Sequence, residues 1–160
     1  MKELNEYRVH LLDKLVSTTQ EFRDACLAVK DPLEPLVENG WNIHQIATHA
    51  RDVHVLVYRF RAQRTAEDND PEFQNFDGDI YMAERYDRSK PLKSVLDGFV
   101  SSVESFRMIL ERMPVETWSR TSRHVTLGGG FTLQTWVERD LAHIEEHLKT
   151  VNNWRDAHSA

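Results

Sequence analysis

Residues 140–147, "DLAHIEEH", end in two histidines four apart. At that spacing two side chains share one face of a helix, and a pair of neutral imidazoles can hold a divalent cation. The chain has eight histidines, so HxxxH alone is a weak motif. Helical geometry adds information. At about 100° per residue, Leu133, Ile144 and Val151 lie within about 40° of Asp140, and Leu141 and Leu148 follow beside them. His147 falls about 20° from Asp140, inside this apolar arc, and His143 about 60° away, at its edge. Upstream, Ile46, Ala50, Val53, Leu56, Val57 and Phe60 form a second apolar stripe centred on Val53. His49 lies about 40° from that centre, His54 roughly 100° away and His44 nearly opposite. Periodicity therefore turns three imidazoles inward, those of His49, His143 and His147.

Two readings stand at this point. Each histidine is a core residue satisfied by a hydrogen bond, or the three share a cation. Three buried imidazoles without partners are costly, whereas one cation takes all three lone pairs. Such a donor set suits Zn, Ni or Fe. Three protein ligands leave a fourth position open, as in catalytic rather than structural zinc sites. Asp140, at the centre of the apolar arc, needs a partner. It is a fourth ligand, a group orienting an imidazole, or half of an ion pair with an arginine of another helix. Asp52 is placed to serve similarly from the edge of its helix.

Other motifs carry less. "HIEEH" matches the H-x-x-E-H protease signature, but the third ligand there is a downstream glutamate, and none of the 13 residues after His147 is Glu. "LGGGF" precedes a helix without the Walker lysine and reads as a flexible turn. No Ser-His-Asp order or CxxC is evident. Cys26 sits on an apolar stripe and reads as a core thiol. Tyr81, Met82 and Tyr86 either line a pocket mouth or cap the core.

Four long helical patterns position these residues, and no strand is expected. The first runs from about Lys2 to Lys30 and is ended by "DPLEP". The second spans about Asn42 to Ala66. The third starts near Pro91 and carries Leu92, Val95, Leu96, Phe99, Val103, Phe106, Leu110 and Met113 on one face. The fourth opens with Thr132 as its N-cap. About 24 residues join the second and third helices, long enough for a crossover that lets them run parallel. The expected fold is all-α, one four-helix-bundle domain over residues 1–160.

Composition narrows the function. With 20 basic and 26 acidic residues the net charge is −6, which argues against general binding to nucleic acid or anionic lipid. Arg59, Arg61 and Arg64 read as the exposed side of a helix end. No run approaches a membrane span, "MKELNEYRVH" is not a secretory signal, and a single cysteine forms no internal disulfide. The expectation is a cytoplasmic protein.

Several stretches resemble the DinB-like (DinB/YfiT) superfamily of four-helix-bundle metal proteins. "GWNIHQIATHARD" is similar to the family's Trp followed eight residues later by His, here Trp41 and His49. "FDGDIYMAERYDRSKPLKSVLDGF" resembles its crossover and third-helix start. "MPVETWSRTSRHVTLGGGFTLQTW" is similar to its third connection, with Pro114, Trp118, His124, Gly128 and Thr132 in order, and "HIEEHL" falls where the family has its last HxxxH. The likeness covers about residues 30 to 152. The chain departs from the pattern at Ile144, where many relatives have Asp, and at Lys149 and Thr150, near where many have Gln.

The resemblance implies a divalent-metal site of His49, His143 and His147, and often a homodimer. It also implies a small-molecule substrate and, in some members, a low-molecular-weight thiol such as bacillithiol as co-substrate. The expected function is a metal-dependent enzyme, a thiol-dependent S-transferase or a related hydrolase or isomerase. The alternatives are a non-catalytic, stress-related metal- or ligand-binding protein and a dimeric interaction module without metal.

Overall fold

The fold is seen in a computed structural model, which describes residues 1–159. Helix α1 spans Lys2–Leu27 and buries Leu11, Leu15, Phe22 and Cys26. Helix α2, Ile43–Val53, starts at Asn42 in a capping box. The Asn42 side chain accepts from the Gln45 amide at 2.8 Å, and the Gln45 side chain accepts from the Asn42 amide at 3.0 Å. The rod continues through a π-helical turn, His54–Arg59, into α3, Phe60–Glu67. A short strand β1, Glu72–Phe73, and helix α4, Gly78–Arg85, occupy the crossover. Helix α5 spans Leu92–Glu111, with Pro91 just before its first residue. After a 3₁₀ turn at Val115–Ser119 come β2, Thr121–His124, and β3, Gly128–Thr132, and then α6, Leu133–His158.

Pairs of contacts set the helix directions. Along the α2–α3 rod His44 meets Lys90, His54 meets Ser102, and Arg59 meets Ser102 and Ser105. Both numbers rise together, so this rod and α5 run parallel, as a long crossover permits. Helices α1 and α6 are also parallel, with Arg8 on Gln134 and Lys14 on Glu145. Helix α1 is antiparallel to α5, with Asp13 on Arg107 and Arg23 on Asp97. The order is up, down, down, up.

The expectation of no strand is corrected by a small sheet of order β1-β2-β3, parallel then antiparallel. "LGGGF" is not a flexible turn: most of it is β3. These strands are too short for alternation to reveal them. Their packing is legible in three dimensions. Phe131 stacks on Trp136 at 4.8 Å between ring centres, and the Trp136 indole N–H donates to Ser122 Oγ at 2.8 Å.

The π turn corrects the reading of the second helix. It holds one residue more per turn than an α-helix, so the buried face shifts register after Val53. Leu56 and Phe60, expected in the stripe, are exposed, while Val57, Arg61, Ala62 and Thr65 are buried. Arg61 is 8% exposed and is not part of an outward basic face. Cys26 is fully buried in the core, as its stripe position predicted, and burial drives its thiol pKa far up.

Candidate metal centre

Helices α2 and α6 bring His49, His143 and His147 together. One ring nitrogen from each lies within 4.8 Å of the others. Ring centres are 5.2 Å apart for His49–His143, 5.0 Å for His49–His147 and 4.4 Å for His143–His147. The two Nε2 atoms of His143 and His147 face each other at 3.0 Å. Nitrogens around a tetrahedral zinc, at about 2.05 Å each, sit roughly 3.3 Å apart. The α6 pair is already near that separation. Nδ1 of both rings is buried without a partner, so hydrogen bonding accounts for only one nitrogen of each ring. The donor set, three neutral nitrogens and no carboxylate, fits a borderline cation.

Burial sets the charge state. It lowers the His49 pKa to about 4, with repulsion from His147 adding to the effect. It lowers His143 to about 3, helped by His147 and His49, and His147 to about 4. All three are neutral at pH 7, with lone pairs available.

The surroundings hold the rings in place. The Trp41 ring lies 4.8 Å from His49, and Tyr58 lies 5.8 Å from His143. Asp77 caps α4 by accepting from the amides of Asp79 and Ile80 at 3.0 Å each. This seats Gly78 against His49. A Cβ on Gly78 would stand 2.9 Å from His49 Cε1, so only glycine allows the approach. The cluster opens to a cavity of about 500 Å³ whose wall includes Trp41, Asp79 and Glu146. Of the three tyrosine and methionine candidates in the crossover, Tyr86 turns to His44 instead, and Met82 is buried.

Asp140 is fully buried and orients an imidazole, one of the three readings, but that of His54 and not of the three-histidine cluster. It accepts from His54 Nδ1 at 2.8 Å, so it is neither grouped with the three histidines nor paired to an arginine. His54 Nε2 in turn accepts from Ser102 Oγ at 3.1 Å, and Arg59 donates to that oxygen at 2.9 Å. A Ser-His-Asp chain is thus present, although no sequence order announced it. Phe99 and Phe106 pack on a His54 with no exposed surface, so the chain braces α6 to α5 and the π turn. Asp52 pairs with its neighbour Arg51 at 2.8 Å.

His44 and His54, set aside by angle, are both buried. The crossover returns over His44, whose Nε2 donates to the Lys90 carbonyl at 2.7 Å while Nδ1 accepts from Tyr86. The π turn explains the environment of His54.

No protein-family model and no curated protein sequence matches the chain. A solved structure does: YfiT from Bacillus subtilis, described as "a probable metal-dependent hydrolase with an unusual four-helix bundle topology". The TM-score is 0.85 at 16% identity, over 95% of this chain and 87% of that one. Among the described residues, no helix is long and apolar enough to cross a membrane. Architecture and likeness together give this chain a four-helix-bundle fold like that of YfiT.

Proposed function

We propose that this chain is a metal-dependent enzyme in which His49, His143 and His147 hold a divalent Zn, Ni or Fe ion beside a small-molecule cavity. The observation that carries the reading is the convergence of three neutral imidazoles, two half-buried and that of His147 buried, on a cavity of about 500 Å³, with one nitrogen each of His143 and His147 unpartnered. The description of YfiT as "a probable metal-dependent hydrolase" supports the same reading at the level of fold. With Asp140 engaged by His54, three side chains are left to hold a cation, a donor count that would leave a coordination position free, as in catalytic sites.

A cation held there supplies Lewis acidity and lowers the pKa of a water or thiol it binds. The chain's own groups do the rest. Trp41 covers one flank of His49 and limits water. Asp79 and Glu146, two of the four carboxylates that line the cavity with Glu38 and Asp77, are placed to accept the proton given up by the attacking water or thiol. Water as nucleophile gives hydrolysis, and a low-molecular-weight thiol gives S-transfer.

Elemental analysis of purified, tag-free protein tests the reading, comparing wild type with His49→Ala and His143→Ala. Near-stoichiometric metal lost in both variants is the expected result. Wild-type protein that takes up no metal after reconstitution returns the histidines to core packing. Assays with and without added thiol then separate hydrolysis from transfer.

A further inference from the structure

A second cavity, of about 310 Å³, shares His49 and His143 with the first, and the two differ in charge. The larger one is lined by Glu38, Asp77, Asp79 and Glu146, with no lysine or arginine. The smaller one is lined by Arg61 and Arg139, with no carboxylate.

Arg61 is the informative residue. It is nine-tenths buried, yet among the described residues it has no carboxylate partner. Its guanidinium donates to the Gln74 carbonyl at 2.9 Å and lies over the Trp136 ring at 4.9 Å. A buried cation without a counter-charge is costly, and the cost is offset when an anion enters. Arg139, also without a carboxylate partner among the described residues, sits over Phe131 at 5.1 Å.

Two neutral donors complete the wall. His124 Nδ1 accepts from the amides of Thr126 and Leu127, both at 3.1 Å. That fixes the tautomer, so Nε2 carries the proton. Burial and both arginines keep this ring uncharged. Tyr58 adds its phenol hydroxyl to the same wall. A wall of two guanidiniums, an imidazole N–H and a phenol has donors and no anionic acceptor.

We propose that the cavity bounded by Tyr58, Arg61, His124 and Arg139 is the subsite for a carboxylate or phosphate group of a small anionic substrate. This rests on the metal-centre reading for where the reaction occurs, because the same cavity wall includes His49 and His143. The carboxylates of the larger cavity repel the anionic group and so fix which way the molecule lies.

Calorimetric titration of the full chain with inorganic phosphate, acetate and uncharged acetamide tests the subsite. Each titration is run on chelator-treated and on zinc-reconstituted protein. Arg139 is exposed, so Arg139→Gln folds. Arg61→Gln is the second variant, checked for folding by circular dichroism. The expected result is saturable binding of phosphate or acetate but not acetamide, weakened about tenfold by Arg139→Gln in both forms, with zinc content unchanged. Anion binding indifferent to Arg139, or no saturable binding of either anion, overturns the subsite even if zinc is taken up. Arg139-dependent anion binding by protein that takes up no zinc sustains the subsite and overturns the metal centre.

Discussion

Removal of the Asp140 carboxylate separates two roles for this residue, brace and metal ligand. In Asp140→Ala the His54 Nδ1–H loses its acceptor in a site without solvent. A hydrogen bond to a charged group contributes about 1.5–3 kcal/mol, and an orphaned buried donor costs about 1–3 kcal/mol. Part of this is returned because Oδ1 has no partner to lose. A net loss of about 3 kcal/mol follows. At roughly 2–4 °C per kcal/mol for a chain of this size, the melting temperature falls by about 6–12 °C. Thermal denaturation followed by circular dichroism measures the shift. In a double-mutant cycle, His54→Leu with Asp140→Val recovers part of the loss, since both members of the buried pair are replaced by apolar groups while Ser102 Oγ keeps its bond from Arg59. Zinc affinity in Asp140→Ala, measured at a temperature where the variant is folded, stays within a few-fold of wild type. An unchanged melting temperature together with a collapse of zinc affinity would falsify the brace and make Asp140 a ligand.

Other tests follow from the same geometry. Gly78→Ala drives a methyl into His49 and weakens zinc binding at least about tenfold, the usual size of an effect one layer behind a ligand; a competing metal indicator reads it. Thr132→Ala removes the acceptor for the Thr135 amide at the start of α6, costing about 1 kcal/mol in urea denaturation while zinc affinity holds. The pH dependence has a definite sign. The three site histidines have folded pKa values of about 3 to 4, below the ordinary 6.5. Between those values the unfolded chain binds more protons, so the stability of metal-free protein rises with pH from about 4 to about 6.5 and levels above 7. Urea titrations across that range check it, and a flat profile rejects the burial argument. Cys26 resists thiol reagents until the chain unfolds, which a colorimetric thiol assay follows with denaturant.

The part of the site that periodicity revealed is the part lying where the helix is regular. His49 precedes the π turn, and His143 and His147 sit well inside α6. Their angles in sequence and their positions in space agree. Beyond Val53 the agreement ends, because a register shift of one residue leaves no mark in composition. Leu56 and Phe60 traded places with Arg61 and Ala62, and His54 became core. His44 was misread for another reason: what buries it is Tyr86 and Lys90, more than forty residues away. Helix α4 did carry a signal, Asp77 before Gly78 as an N-cap, masked by the reading of the whole segment as a loop. The wall of the proposed anion subsite had no local signal, since Tyr58, Arg61, His124 and Arg139 come from four elements, the π turn, α3, β2 and α6.

The parallel pairing of α1 with α6 has a kinetic meaning. Residues such as Arg8 and Gln134 touch across 126 positions of chain, and the rod holding His49 meets α6 across a span nearly as long. Loops of that length close slowly, and long-range contacts reward the chain only after closure. The imidazole cluster is therefore expected to form only when α6 docks on the α2–α3 rod. A cation at the proposed site would bind the assembled cluster and slow its opening. For the same reason neither terminal helix can be removed without exposing the other's apolar face, and hydrogen exchange in α1 and α6 should rise and fall together as one cooperative unit.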